Sequence, residues 1–165
     1  MAKFKDTISY TLKNEGKYSN HSADRGGETK FGITKRVAQD FGYSADMQDL
    51  TIEMAKEIYR FNYWNPLKLD GINSQEVANE LFDTGVNMGV RIAGKFLQKS
   101  INLLSNAKLK VDGKIGPKTL SYLKKISNEK ILLKCLNGLQ FERYKRIIFL
   151  HPSQKVFFKG WLKRI

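Results

Sequence analysis

The chain has 165 residues, 41% hydrophobic, 12% aromatic and 27% charged, with three prolines and one cysteine. A chain this long buries about two thirds of its unfolded surface without disulfides, and its composition excludes collagen-like, disordered and disulfide-scaffold classes. The net charge of +13 is unevenly placed: residues 1–89 carry 11 basic and 13 acidic side chains, net −2, whereas residues 90–165 carry 18 and 3, net +15. An excess of that size seeks polyanions, whether nucleic acid, anionic lipid or an anionic wall.

In chain order, Phe4, Ile8 and Leu12 recur every fourth residue and predict a short amphipathic helix ending near Gly16. Residues 16–33 are polar and glycine-containing, which predicts a loop or small hairpin with Gly26-Gly27 as the tight turn. Thr34 is placed to cap a short helix stopped by Gly42, and Thr51 to cap one running to about Asn62 with Met54, Ile58 and Phe61 on one face. Ser74 caps a further helix to about Met88, carrying Val77, Leu81 and Phe82, and another spans Arg91 to Leu104. Asp112-Gly113-Lys114-Ile115-Gly116-Pro117 reads as a turn feeding a helix, with Pro117 at its favoured first position. The longest helix is predicted over Glu129–Leu150, stopped by Pro152 and followed by an aromatic tail with Phe157, Phe158 and Trp161. Cys135 falls on the stripe Ile131, Cys135, Leu139, which predicts a buried, inert thiol. The expected fold is mostly α, with one small hairpin near residues 16–33. Any boundary falls near residues 88–91, where the charge balance changes, and the two regions are expected to pack as one compact unit.

The chemistry narrows to carboxylates. His21 and His151 lack companion cysteines at ligand spacing, so no metal is implied, and no organic cofactor either. Glu15 continues the stripe of Phe4, Ile8 and Leu12 at the C-terminal end of the first helix. Partial desolvation and the negative end of the helix dipole would there favour its protonated form, as a general acid requires; the alternative is a frayed helix end with Glu15 in water. Asp24 lies nine residues on and Thr29 five beyond that. A carboxyl in an apolar setting with a second in a polar loop is the equipment of glycosidic cleavage, although Asp24 before Gly-Gly also suits a plain turn. Tyr63-Trp64 is either a stacking platform for sugar rings or core packing before Pro66. Asp83 and Asn87, four apart on one helix face, either line a sugar cleft or anchor the preceding loop.

Glu15-Gly16-Lys17-Tyr18, followed by Asp24-Arg25-Gly26-Gly27-Glu28-Thr29-Lys30-Phe31-Gly32-Ile33, resembles the N-acetylmuramidases of glycoside hydrolase family 108. That family's signature is Glu-Gly-Gly-Tyr and then Asp-x-Gly-Gly-x-Thr-x-x-Gly-Ile. The resemblance extends through Tyr63-Trp64, the run Leu81 to Gly89, and Val111 to Thr119, which is similar to the family's peptidoglycan-binding C-terminal region. It implies a lysozyme-like α+β fold dominated by helices, with a catalytic region over 1–89 and a basic helical peptidoglycan-binding region over 90–165. It implies Glu15 as the catalytic acid; the order Glu15, Asp24, Thr29 is also similar to the Glu-Asp-Thr arrangement of phage-type lysozymes, and Asp24 and Thr29 are expected to assist. Tyr18 matches the motif tyrosine, and Tyr18, Trp64 and Asn87 are the candidate substrate contacts. Lys17 departs from the second motif glycine, which bears on local substrate preference.

The expected function is hydrolysis of the β-1,4 bond between N-acetylmuramic acid and N-acetylglucosamine. The alternatives are a lytic transglycosylase, a non-catalytic wall-binding protein and a nucleic-acid-binding module, the last supported by the basic half and its aromatics but by no motif. The expected partners are peptidoglycan and the anionic envelope, with no specific nucleic acid, and the chain is expected to be a monomer. No secretory leader or transmembrane run is visible at the N-terminus. Synthesis in the cytoplasm and release by a holin-type or secretion route, as for an endolysin, are therefore expected.

Overall fold

The computed structural model describes residues 1–14, 18–19 and 27–165, with only the backbone of Tyr10, Lys13 and Asn14. Glu15, Gly16, Lys17, His21, Asp24 and Gly26 fall outside them.

Helix α1 covers Phe4–Asn14. Its N-terminal end is tied to α4 (Gln75–Met88) by Lys3 N–H donating to Gln75 Oε1 at 2.7 Å and by Thr7 Oγ1 donating to Asn79 Oδ1 at 2.5 Å. Positions 3 and 7 thus meet 75 and 79, so the two helices run in the same direction. Strands β1 (Thr29–Lys30) and β2 (Ile33–Thr34) form an antiparallel hairpin with Thr29 opposite Thr34 and Lys30 opposite Ile33. The tight turn is Phe31-Gly32, both with positive φ (52° and 74°), rather than the expected Gly26-Gly27. Positive φ at both turn residues matches the right-handed twist of the strands. Phe31 tolerates it because its ring packs against the core and Tyr59 Oη donates to its carbonyl at 3.1 Å.

The capping residues act as their chemistry requires. Thr34, Thr51 and Ser74 each accept from the backbone N–H three residues on, opening α2 (Lys35–Phe41), α3 (Ile52–Tyr59) and α4, and Gly42 closes α2 in the left-handed region at φ 103°. The α3 segment departs from expectation at its end. Residues Arg60–Trp64 form a π-helical turn, with Asn65 N–H donating to the Arg60 carbonyl at 2.9 Å. The extra residue in that turn rotates the face. Phe61, expected beside Met54 and Ile58, is 60% exposed and packs edge-on against Phe41, while Trp64 is driven wholly inside.

Gly89 ends α4 and α5 (Val90–Leu104) begins at once. The Asp112-to-Pro117 turn is pinned by Gln98: its amide donates to Asp112 Oδ1 and the Lys114 carbonyl, and its oxygen accepts from Gly113 N–H at 2.8 Å. The loop lies so close to α5 that a Cβ on Gly94 would overlap the Gly113 carbonyl. Pro117 opens α6 (Pro117–Leu123), and Asn128 caps α7 (Glu129–Leu150) by accepting from Ile131 N–H at 3.1 Å. The buried face of α7 is Leu132, Leu136, Gln140 and Tyr144, one residue round from the expected stripe, so Ile131 is exposed and Cys135 only half-buried. After Pro152 a 3-10 turn and the short α8 (Phe158–Trp161) fold back on α7, stacking Trp161 on Tyr144 at 5.1 Å.

Buried residues from both sides of Gly89, from Ala2 to Leu136, join in one hydrophobic cluster. The described residues are mostly helical with one small hairpin, as expected. Among the described residues no helix is long and apolar enough to cross a membrane, and no metal-ligating cluster occurs.

Candidate active site

The described part of α1 ends at Asn14, so Glu15 follows in the chain, and both Glu15 and Asp24 lie outside the described residues. Ser19 and Thr29 exchange both backbone hydrogen bonds at 2.8 Å, which sets Ser19 beside the first strand of the hairpin. Thr29 Oγ1 donates to the Gly27 carbonyl at 3.0 Å, which leaves its oxygen as an acceptor for other groups. Tyr18, half-buried, donates its hydroxyl to Glu28 Oε1 at 3.0 Å, and Lys35 binds the other oxygen of Glu28 at 2.9 Å. These two hydrogen bonds hold the Glu28 carboxyl below its ordinary range. Tyr18 is thus held against Glu28, the residue before Thr29.

Trp64 is not part of that grouping. It is 0% exposed and packs edge-on against Phe4 at 5.4 Å and tilted against Phe82 at 6.2 Å, so it offers no face to a sugar ring. The assignment as a stacking platform is corrected: burial of a large ring beside α1 and α4 outweighs surface display. Tyr63, at 6.3 Å from Phe82, joins the same aromatic group.

On α4, Asn87 is exposed and donates its amide to the Asp83 carbonyl one turn back at 2.8 Å. The same helix carries a carboxyl that sequence reasoning missed. Glu80 accepts from Thr84 Oγ1 at 3.2 Å, and burial together with neighbouring Asp83 pushes it up to about 7. Asp83 is also pushed up by burial, although Arg164 pairs with its Oδ1 at 2.6 Å and pulls the other way. The signal was present in the spacing: Glu76, Glu80, Asp83 and Asn87 are separated by four, three and four residues, a polar stripe along one helix face. Nothing local pointed to Arg164, which arrives from 81 residues away. Glu76, Glu80 and Asp83 of this stripe, but not Asn87, line a cleft of about 630 Å³ that is also lined by α1, α7 and the C-terminal segment.

Two regions of the chain match known families. Residues 8–89 match the model described as Glycosyl hydrolase 108, and residues 92–165 that described as Predicted Peptidoglycan domain. Among solved structures, the chain is similar to one described as the structure of Brucella abortus SagA. The two are 28% identical with a TM-score of 0.80, over 98% of this chain and 88% of that one. No curated protein sequence matches.

Proposed function

The chain belongs to glycosyl hydrolase family 108 and is a peptidoglycan hydrolase, and from that premise we propose that it cuts the β-1,4 bond between N-acetylmuramic acid and N-acetylglucosamine with Glu15 as general acid. The observation that carries this reading is the block from Glu15 to Ile33, which agrees with the family motif in residue type and spacing inside the matched region. Glu15 protonates the glycosidic oxygen as the C1–O bond breaks and positive charge develops on the muramyl ring. Water then adds at C1 and gives up its proton to Asp24, with Thr29 holding the water. Tyr18 supports the hairpin on which Thr29 sits, and Asn87 offers its amide to an N-acetyl group.

The basic residues of 90–165 anchor the enzyme to the anionic envelope in the same proposal. All eighteen are exposed except half-buried Lys95 and Arg143, so the charge faces solvent. The enzyme acts as a monomer, and a holin-type or secretion route delivers it to the wall.

The test is wall clearing and product analysis with wild type and Glu15→Gln. Loss of clearing by about 10²–10⁴-fold, with wall binding retained and ordinary reducing ends from the wild type, is expected. Undiminished cleavage by the variant removes Glu15 from its role, and 1,6-anhydro ends would assign a transglycosylase instead.

A further inference from the structure

The cleft beside α4 has two walls of opposite charge. One is Glu76, Glu80 and Asp83 of α4 and the other Lys163 and Arg164 from the C-terminal segment, and they join where Arg164 pairs with Asp83 at 2.6 Å, leaving Glu76, Glu80 and Lys163 for a ligand; Thr7 and Thr11 of α1 also line the cleft. We propose that this cleft binds the peptide portion of the wall polymer, its amine toward Glu76 and Glu80 and its carboxylate toward Lys163. The inference rests on the peptidoglycan reading above and deepens it, because it names which part of the polymer this surface recognises.

Size, charge and position all support that ligand. A volume of about 630 Å³ lies within the range of small-molecule sites and suits a short peptide. An uncharged glycan uses neither wall, and a nucleic acid phosphate leaves the α4 carboxyls without a partner. A ligand with both an amine and a carboxylate satisfies both sides at once. The lining is also short of donors: Asp83 Oδ2 on α4 and Asn137 Oδ1 on α7 are buried with no hydrogen-bond partner among the described residues. Glu80, held near neutrality by burial and by Asp83, is a carboxyl that a nearby ammonium would ionise.

Position links the cleft to the reaction. Thr11 lies four residues before Glu15, so the cleft reaches the last turns of the helix that leads to the proposed acid. In the polymer the peptide hangs from the muramyl ring, whose C1 carries the scissile bond. The two matched regions meet here: Thr7, Glu80 and Asp83 of the hydrolase region face Asn137, Lys163 and Arg164 of the peptidoglycan region. Neither region builds the site alone.

The test titrates the full chain with two probes, a sugar-free wall tetrapeptide with free amine and carboxylates, and a peptide-free N-acetylglucosamine oligomer. Amide NMR shifts at Thr11, Asn79 and Asn137 on adding the peptide are expected. Weakening by about fivefold or more in Glu80→Gln and in Lys163→Ala is also expected. Acetylating the peptide's amine should produce the same weakening with no change to the protein, so the test survives a variant that fails to fold. Peptide shifts elsewhere, no peptide binding, or the oligomer shifting the same amides overturns the proposal. Glu15→Gln is scored separately by release of reducing ends. A cleft that ignores the peptide beside an inactive Glu15→Gln sinks only this inference, and a peptide-binding cleft beside an active Glu15→Gln sinks only the catalytic assignment.

Discussion

Residues 1–89 and 90–165 share one core but handle polar groups in opposite ways. The near-neutral half brings carboxyls in from solvent: Glu80 and Asp83 are both pushed up by burial. The strongly basic half buries neutral amides instead, with Gln98 2% exposed and Gln140 0%. Gln98 satisfies itself on the Asp112 loop and Gln140 donates to Tyr144 Oη at 3.0 Å. Burying a charge costs far more than burying a hydrogen-bonded amide. A protein therefore tolerates buried carboxyls mainly where they serve a site, and it carries an excess like +15 in water. The buried carboxyls and the net charge consequently lie in different halves, and Arg164 joins them at Asp83.

This contrast can be broken at several points. Trp64→Ala, at the apolar centre of the first half, should cost about 3–5 kcal/mol by denaturant unfolding, and Trp64→Phe clearly less. A near-zero cost would return Trp64 to the surface role that its burial denies. Gly94→Ala tests the second half, since its methyl must push the Asp112 loop off α5; a loss of about 1–3 kcal/mol is expected, measured in the same way.

Glu80→Gln sharpens the contrast through pH. The folded carboxyl titrates at about 7 against an ordinary 4.5, so between these values the folded protein keeps a proton that the unfolded chain has lost. Stability therefore falls as pH rises through that window, and the variant should remove the fall. Urea unfolding should find Glu80→Gln more stable by about 1–3 kcal/mol at pH 8 and unchanged at pH 4. An unaltered pH profile would mean that Glu80 is solvated. The smallest effect belongs to Arg164→Ala: both partners of its ion pair are about one third exposed, so a loss of about 0.5–1 kcal/mol is expected in thermal unfolding. Binding of whole walls should meanwhile weaken with added salt, as exposed charge requires; salt-independent binding would detach the basic half from the envelope.

Much of the secondary structure was legible because its causes are local. Thr34, Thr51 and Ser74 cap helices with hydroxyls that reach only three residues, and Pro117 and Gly42 act through their own backbone angles. The family block from Glu15 to Ile33 was legible for a different reason, as side-chain types at characteristic spacing. Misplaced features were those that depend on a neighbour. The turn moved to Phe31-Gly32 because Tyr59 and the core support Phe31 there. Cys135 was placed on the buried face because Ile131 and Leu139 look no less apolar than Leu132 and Leu136. Only packing against α4 and α5 selects between the two stripes.

The capping residues, the helical periods, the charge division and the motif that names the chemistry were all available in the chain itself, because each is a relation among residues a few positions apart or a simple sum. The π turn that buries Trp64, the polar groups that Gln98 draws together and the cleft between α4 and the C-terminal segment were decided by the tertiary structure. Each depends on elements that the chain brings into contact from tens of residues away, where space, desolvation and charge are shared rather than local.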